Sequence, residues 1–366
     1  MIRTFRYPLH VNCRNDRVLR SWLELCRSLY NGALEHREEA WKRGRHSVSY
    51  QDQTAELTEI RAQDPEWEAI PVVVSRSALR RLDRSFKAFF RRVKLGEKPG
   101  FPRFQGRRRY CSFSIGRALP QGDRVRIPKL GLLRFHRYRP LKGDVLETQI
   151  RRHYGRWYVC FACDLGPEPE KRPAVRRVGI DLGLTHFAVT SDGQYISNPR
   201  WYRRGEARLA RRQRAMARSQ KGSRTHWRRR FLVARAHQHI QNQRLDHARK
   251  LACSLFGSYD VVSVEALNIG GMVQGWGLGK SIADAGWRIF LSALRHKAAE
   301  AGAWVVEVDP RGTSVRCSAC GVEVPKELSD RVHECSACGL RLDRDLNAAR
   351  NVAALGRSAL KVASAA

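Results

Sequence analysis

Three carboxylates in this chain stand where a charge is costly, next to an apolar segment. Asp181 follows a strand-like run at 176–180, and Glu265 follows a second run at 259–264. Asp345 opens a segment of helical periodicity. A charge beside a hydrophobic core normally has a cation to face, although a single Asp at a strand end also starts Asx turns. Three such acids indicate a divalent-metal site.

The chemistry that such a site performs is phosphoryl transfer. Mg²⁺ takes hard oxygen ligands and keeps several waters, so carboxylates on rigid elements suit it. Two ions about 3.5–4 Å apart can stabilise both the attacking and the leaving oxygen of the reaction. We therefore predict two catalytic Mg²⁺ ions held by Asp181, Glu265 and Asp345.

Two Cys-x-x-Cys-Gly knuckles form the strongest local signal in the sequence. Cys317 and Cys320 make the first, and Cys335 and Cys338 make the second, with fourteen residues between the pairs. Four thiolates at this spacing predict a tetrahedral zinc site. A closed site of four cysteines leaves no position for water, so we expect one structural Zn²⁺ ion that takes no part in catalysis.

The elements around the acids are predicted to be rigid. The strand at 176–180 returns through 187–190 as a hairpin, and 259–264 forms another strand. At the third acid, Asp343 is predicted to cap a helix in which Asp345 shares a face with two alanines and a valine. That face would pack on the sheet and bring Asp345 to the other two acids.

Composition restricts the class of protein and its partners. The 366 residues include 69 Lys and Arg against 35 Asp and Glu, a net charge of +34, and 42% are hydrophobic. Such a chain can bury a core, and its excess positive charge indicates a polyanionic partner, for which nucleic acid is the natural candidate. No apolar run has the length of a membrane span, and the first residues lack a signal peptide, so a reducing cytoplasm is expected.

The rest of the chain predicts a mixed α/β architecture. An N-terminal strand at 1–12 precedes a helical segment that proline residues interrupt at 65–71. Short strands between 110 and 163 predict a small β-barrel or half-barrel, which the first strand could complete. Basic residues dominate 203–230, predicted to be a helix and a turn that bind a nucleic-acid backbone, and 282–301 is predicted to be one continuous helix.

The ordered motifs resemble a known family. They are Gly-Ile-Asp-Leu-Gly at 179–183, Val-Glu-Ala-Leu-Asn at 264–268, Thr313-Ser314 ahead of the cysteines, and Asp-Arg-Asp-Leu-Asn-Ala-Ala at 343–349. This set is similar to TnpB, also called OrfB, the transposon-encoded RNA-guided nuclease that resembles compact type V CRISPR effectors. Matching the motifs residue by residue implies that Asp181, Glu265 and Asp345 are the nuclease carboxylates.

The resemblance implies an α/β multidomain fold. It consists of a wedge β-barrel interrupted by a helical recognition insert, then an RNase H-like (RuvC) nuclease domain with an inserted zinc ribbon. The expected segments are 1–13 for the first barrel strand, 14–98 for the helical insert, 99–166 for the rest of the barrel, 167–174 for a linker, 175–310 and 342–366 for the two nuclease parts, and 311–341 for the zinc ribbon, which would bind target nucleic acid.

The same resemblance implies an RNA-guided DNA endonuclease of a transposon. Its expected partners are a guide RNA and target double-stranded DNA, with no membrane and no protein partner, in the prokaryotic cytoplasm at the nucleoid. The alternatives are a compact type V CRISPR effector, a zinc-ribbon nucleic-acid-binding regulator without cleavage, and an unguided transposase or resolvase that uses similar acids.

Overall fold

The chain divides into two compact units, Met1–Pro167 and Glu168–Ala366. In the computed structural model, residues 1–107, 109–275, 277–327 and 330–365 are described, with the backbone alone for 361–365. The division falls at the proline-rich segment that the sequence predicts to be a linker.

Unit 1 begins with a strand, continues through helices and ends in short strands. In chain order its elements are β1 (Ile2–Pro8), α1 (Cys13–Gly44), α2 (Tyr50–Gln63), α3 (Pro65–Ala69), α4 (Val72–Lys94), β2 (Ser112–Ser114), β3 (Pro120–Gln121), β4 (Arg124–Ile127), β5 (Gly131–Arg134), β6 (Asp144–His153) and β7 (Arg156–Asp164).

Polar caps set the helix starts in unit 1. Asn12 accepts a hydrogen bond from the Asn15 amide at the start of α1, and Ser49 forms a capping box with Asp52 at α2. The break predicted between the prolines is wrong in one respect, because it holds the short helix α3. Pro65 is tolerated there since the first helical turn needs no amide donor.

The strands of unit 1 form two sheets. One has the order β1-β7-β6-β2 with antiparallel pairing, and β3, β4 and β5 form the other. A single bridge from Leu9 to Phe135 joins β1 to the end of the second sheet. Tyr7, Phe135 and Phe161 pack between them with ring centroids 5.4–6.0 Å apart. The N-terminal strand therefore completes a sheet whose other strands come more than 100 residues later.

Unit 2 alternates strands with long helices. Its elements are β8 (Arg177–Asp181), β9 (His186–Thr190), β10 (Tyr195–Ser197), α5 (Trp201–Ala217), α6 (Arg224–Ser258), β11 (Val261–Glu265), α7 (Ile269–Gly275), α8 (Gly279–Ala285), α9 (Trp287–Ala301), β12 (Trp304–Val308), β13 (Val332–Glu334), β14 (Arg341–Asp343) and α10 (Arg344–Ala365).

A five-stranded sheet of order β10-β9-β8-β11-β12 forms the centre of unit 2. β8, β11 and β12 are parallel, and β9 and β10 are antiparallel to their neighbours. Alternate residues of β8 and β11, Val178, Ile180, Val262 and Val264, are buried in a core with α6 and α9. The residues between them face α10, so the sheet lies between two helical layers.

The prediction of one continuous helix over 282–301 is wrong. Gly286 has φ of +74°, a left-handed conformation that ends α8, and its amide donates to the Ile282 carbonyl. α9 then starts at Trp287, which is 3% exposed. A glycine inside a helical pattern is often tolerated, but here it turns the chain so that α9 can pack on the sheet. No helix in the described part of the chain combines the length and apolarity needed to span a membrane.

Candidate active site and metal centre

The C-terminal ends of β8 and β11 lie side by side at one edge of the central sheet. The strands pair in parallel with Gly179 opposite Ser263. Asp181 and Glu265 are the last residues of these strands, each two positions further on. Because side chains alternate along a strand, both acids lie on the face that carries Gly179 and Ser263.

Helix α10 covers that face at very short range. A Cβ on Gly179 would lie 2.2 Å from the carbonyl oxygen of Ala349, and a Cβ on Gly356 would lie 1.9 Å from Oγ of Ser263. Both distances are far below any van der Waals contact, so only glycine fits at either position. This close packing brings Asp345, in the first turn of α10, to the sheet edge that bears the two acids.

The start of α10 separates the roles of its two aspartates. Asp343 Oδ1 accepts hydrogen bonds from the amides of Asp345 (2.9 Å) and Leu346 (3.1 Å), so the prediction that Asp343 is the N-cap is confirmed. Asp345 is 9% exposed, and its Oδ2 would lie 3.7 Å from a Cβ on Gly183, in the loop directly after β8. The carboxylate of Asp345 therefore points toward the sheet edge and takes no part in the cap.

The electrostatics of this cluster favour a bound cation. Asp181 makes no hydrogen bond or ion pair among the described residues, and burial, then the charges of Glu265 and Asp345, raise its pKa well above the usual range. Burial also raises the pKa of Glu265, partly offset by the Thr313 hydroxyl. A divalent cation would relieve this repulsion, and carboxylate oxygens are the ligands that Mg²⁺ prefers. The oxygen chemistry of these donors suits Mg²⁺, but among the described residues only the four cysteines bring all their ligand atoms within 4.8 Å of one another.

The crowded carboxylates are expected to destabilise the metal-free protein. Since the pKa of Asp181 is raised in the folded state, folding retains a proton, and the free energy of unfolding falls as pH rises from the ordinary Asp range through the folded pKa. We expect Asp181→Asn, without added Mg²⁺, to raise the free energy of unfolding at neutral pH by about 1 kcal/mol or more, about 2–4 °C in melting temperature.

Thermal melts of the zinc-loaded protein between pH 5 and pH 8 would measure this effect. The gain from Asp181→Asn should shrink toward the acid end, where the parent carboxyl becomes protonated. The control is Asp246→Asn, since Asp246 is exposed and forms a surface ion pair with Lys250. An equal gain from both variants, or none from Asp181→Asn, would contradict the prediction.

The four cysteines of the two knuckles form one cluster. Their Sγ atoms all lie within 4.8 Å of one another. Cys317 Sγ is 3.6 Å from Cys338 Sγ, and Cys320 Sγ is 3.6 Å from Cys335 Sγ. A tetrahedral site with Zn–S bonds of about 2.3 Å has sulfur–sulfur edges of about 3.8 Å, so the spacing fits zinc. The cluster therefore has the ligand type and the approximate spacing of a tetrahedral metal site.

Side chains of α10 fasten the first knuckle to the carboxylate site. Asn347, which is fully buried, accepts a hydrogen bond from the Ser318 amide (2.9 Å) and donates to the Arg316 carbonyl (2.7 Å). Asn351 donates to the carbonyls of Thr313 (2.8 Å) and Arg316 (2.7 Å). Sequence patterns assign these asparagines no role, because nothing local shows which distant backbone they bind.

Thr313 links the knuckle segment directly to Glu265. Its hydroxyl lies 2.6 Å from Glu265 Oε1 and 2.9 Å from the Pro310 carbonyl, and both Thr313 and Glu265 are more than nine-tenths buried. The Thr313 hydroxyl has only one proton to donate. It donates this proton to the Glu265 carboxylate, which is a stronger acceptor than the Pro310 carbonyl, and the hydrogen bond orients Glu265. In the sequence, the only signal that Thr313 supports Glu265 is its position in the Thr313-Ser314 motif.

Removing the Thr313 hydroxyl is expected to weaken metal-dependent activity. Thr313→Val keeps the side-chain volume but leaves Glu265 free to rotate, so we expect cleavage to fall about 10- to 100-fold at low Mg²⁺ and to recover partly at high Mg²⁺. Cleavage rates across a Mg²⁺ titration would measure this, with Thr313→Ser as the variant that restores activity. Identical titrations for Thr313→Val and the parent would show that Glu265 needs no such support.

Helices α5 and α6 carry much of the positive charge of unit 2. Residues 203–230 include twelve Lys and Arg and one acid, Glu206, which pairs with Lys280. The N-terminus of α5 is held by Asp284, whose carboxylate accepts from the amides of Tyr202 (2.7 Å) and Arg203 (3.0 Å). An anchored helix with such an excess of cations suits a phosphate backbone.

Comparisons with known proteins identify the family. Family models match at residues 1–46 ("Helix-turn-helix domain"), 160–275 ("Probable transposase", OrfB_IS605) and 287–352 ("Cas12f1-like, TNB domain"). A Streptomyces pristinaespiralis protein named "Putative RNA-guided DNA endonuclease" is 31% identical over 98% of this chain and 90% of its own length. The chain belongs to the TnpB (OrfB) family. "Putative RNA-guided DNA endonuclease InsQ" of Escherichia coli K12 is 26% identical over 98% of this chain and 93% of its own length.

Two solved structures have a fold similar to that of this TnpB-family chain. One chain in the cryo-EM structure of a Cas12f1–sgRNA–target DNA complex superposes with a TM-score of 0.57 at 12% identity, over 93% of this chain and 83% of that one. The structure of the mini-RNA-guided endonuclease CRISPR-Cas_phi3 superposes with a TM-score of 0.52 at 10% identity, over 97% of this chain and 92% of that one. At these identities the likeness concerns the fold alone.

Proposed function

We propose that this protein is an RNA-guided DNA endonuclease whose cleavage site is formed by Asp181, Glu265 and Asp345. The observation that carries the proposal is that three acids from separate elements of unit 2 meet at one sheet edge, where Asp181 has no partner among the described residues. Membership of a family whose relatives are named RNA-guided DNA endonucleases supports the same activity.

The division into two units supports the proposed domains. Unit 2 would be the RNase H-like (RuvC) nuclease in two parts, 175–310 and 342–366, with the zinc ribbon at 311–341 inserted between them. Unit 1 would be the wedge barrel, with the helical insert at 14–98 between its first strand and the rest. The central sheet with parallel β8 and β11 and covering helices supports the first assignment, and the pairing of β1 with β7 supports the second.

Each residue of the proposed site has one task. Asp181, Glu265 and Asp345 would hold two Mg²⁺ ions, which supply a water nucleophile and charge stabilisation for phosphodiester cleavage when bound. Thr313 orients Glu265, and Asp343 caps the start of α10, so Asp345 is not needed for the cap. Asp345 pairs with Arg344 (3.5 Å) and would bind a metal. Cys317, Cys320, Cys335 and Cys338 would hold one structural Zn²⁺.

The proposed partners are a guide RNA and target double-stranded DNA. The net charge of +34 supplies the attraction, and base pairing with the guide would choose the sequence. The place of action would be the cytoplasm beside the nucleoid, where the target DNA lies.

To test this function, the protein would be purified together with transcripts of its native locus. The bound RNA would be sequenced, and cleavage of a plasmid that matches it would be measured. We expect cutting that requires Mg²⁺, the RNA and a matching target. Cutting without RNA would show an unguided transposase or resolvase, and RNA binding without cutting would show a regulator. The sequenced RNA would also distinguish a transposon end from a CRISPR array as its source.

A further inference from the structure

An exposed aromatic surface lies at the end of α4 and in the segment after it. Five large apolar side chains of this segment are about half exposed or more: Phe90 (60%), Val93 (51%), Leu95 (63%), Phe101 (47%) and Phe104 (51%). We call the exposed rings of Phe90 and Phe101, which both contact Phe86 and Phe89, the Phe90 surface. Nothing in the proposed nuclease chemistry uses these residues.

The rings of this surface are held in fixed positions. Phe90 lies 6.2 Å from Phe86 in a stacked arrangement and 5.2 Å from Phe89, measured between ring centroids. Phe101 meets the same two rings edge-on at 5.6 and 5.4 Å. Arg37 lies over Phe86 and fixes it from the protein side. The exposed faces of Phe90 and Phe101 are therefore preorganised, which lowers the entropy cost of binding a flat partner.

Positive charge surrounds these rings. Residues 84–104 contain seven Lys and Arg against one acid, Glu97. Among the described residues, five of these cations make no ion pair and no side-chain hydrogen bond: Arg91, Arg92, Lys94, Lys98 and Arg103. Cations left unpaired around exposed rings are typical of surfaces that hold a backbone by its phosphates and its bases by stacking.

The positive charge around the Phe90 surface helps to decide which partner binds there. A second copy of this chain would place the same cations face to face, which costs free energy, so self-association is disfavoured. A DNA duplex offers phosphates but keeps its bases stacked inside. An RNA strand offers both phosphates and unpaired bases, and unpaired RNA bases commonly stack on aromatic side chains.

We propose that the Phe90 surface binds an unpaired segment of RNA, with a base stacked on Phe90 or Phe101 and neighbouring phosphates on Arg91 and Arg92. This rests on the proposed function in one respect, since that function makes RNA the resident partner. It adds a site and a chemical mode of binding that cleavage does not require.

The test measures binding of a fluorescently labelled single-stranded RNA oligonucleotide across a salt series. Phe90→Ala and Phe101→Ala are expected to weaken binding about 5- to 100-fold with no change in the slope of log affinity against log salt. Arg91→Gln should instead reduce that slope by about 0.7, the value for one phosphate contact on a single strand. Phe90→Tyr, which keeps a stacking face, should restore affinity.

Val93→Ala is the matched control, because Val93 is exposed one helical turn from Phe90 on α4 and the change removes apolar area without removing a ring. Loss of affinity equal to that of Phe90→Ala would overturn stacking, as would unchanged binding in both phenylalanine variants. Tighter binding of single-stranded DNA than RNA would overturn the choice of RNA. A dimer in light scattering that dissociates on Phe90→Ala would assign the surface to a second copy.

These outcomes are independent of the nuclease test. If the parent fails to cut but binds RNA through Phe90, only the proposed function fails. If the parent cuts under RNA guidance and Phe90→Ala binds the oligonucleotide as the parent does, only this inference fails. All the variants are at exposed positions, and circular dichroism would confirm that they fold.

Discussion

Changing Asp345 to Asn is expected to abolish cleavage while RNA binding stays unchanged. Asp345 stands in the first turn of α10, a helix that glycines at 179 and 356 hold directly against the sheet. Its carboxylate takes no part in the cap and forms an ion pair with Arg344 (3.5 Å), and we propose that it also binds a metal ion beside Asp181 and Glu265. An amide has one neutral oxygen in place of a charged carboxylate, and we expect a loss of more than about 100-fold.

Asp343→Asn is the matched control two residues away. Asn keeps an oxygen that can accept the amides of Asp345 and Leu346, so the cap and the position of α10 should persist, with cleavage within a few-fold of the parent. Asp343→Ala would lose the cap, worth about 0.5–2 kcal/mol of stability. If Asp343→Asn abolished cleavage and Asp345→Asn did not, the roles assigned to the two acids would be reversed.

The carboxylate site could be predicted from the sequence because its elements are local and periodic. The segments Gly179-Ile180-Asp181 and Ser263-Val264-Glu265 share one pattern, a small residue two positions before an acid at a strand end. The small residues admit a helix, and the alternation places the acids on the same face. Asp345 and its alanines show the complementary helical period.

Other features depend on contacts that no local pattern reveals. The bond from Thr313 to Glu265 joins residues 48 positions apart, and Asn347 binds a backbone 29 and 31 positions away. The break at Gly286 occurs because α9 packs on the sheet in another direction than α8, a tertiary demand that overrides helical propensity. Pattern reasoning therefore predicts well which acids and which cysteines lie together, and it predicts poorly the contacts that support them.

The four-cysteine cluster is expected to matter for catalysis as well as for folding. We expect about one zinc per chain, and Cys317→Ser or Cys338→Ser should remove it and unfold the ribbon, since metal binding contributes folding free energy directly. The matched control is Cys253→Ser, because Cys253 is exposed on α6 and outside the cluster, and it should leave zinc content and melting temperature unchanged.

Loss of zinc should disturb the carboxylates because hydrogen bonds of Asn347 and Thr313 connect them to the first knuckle. The knuckle that holds Cys317 also carries the Arg316 carbonyl and the Ser318 amide that bind Asn347, and it follows Thr313, which orients Glu265. Once the knuckle unfolds, those bonds are lost, so cleavage should fall at least as far as in Thr313→Val, even with Asp181 and Asp345 intact. Elemental analysis, thermal melts and a Mg²⁺ titration of cleavage would measure the three effects together. A zinc-free protein that kept its melting temperature would exclude a structural metal, and a zinc-free protein that cut normally would show that Glu265 is positioned without the ribbon.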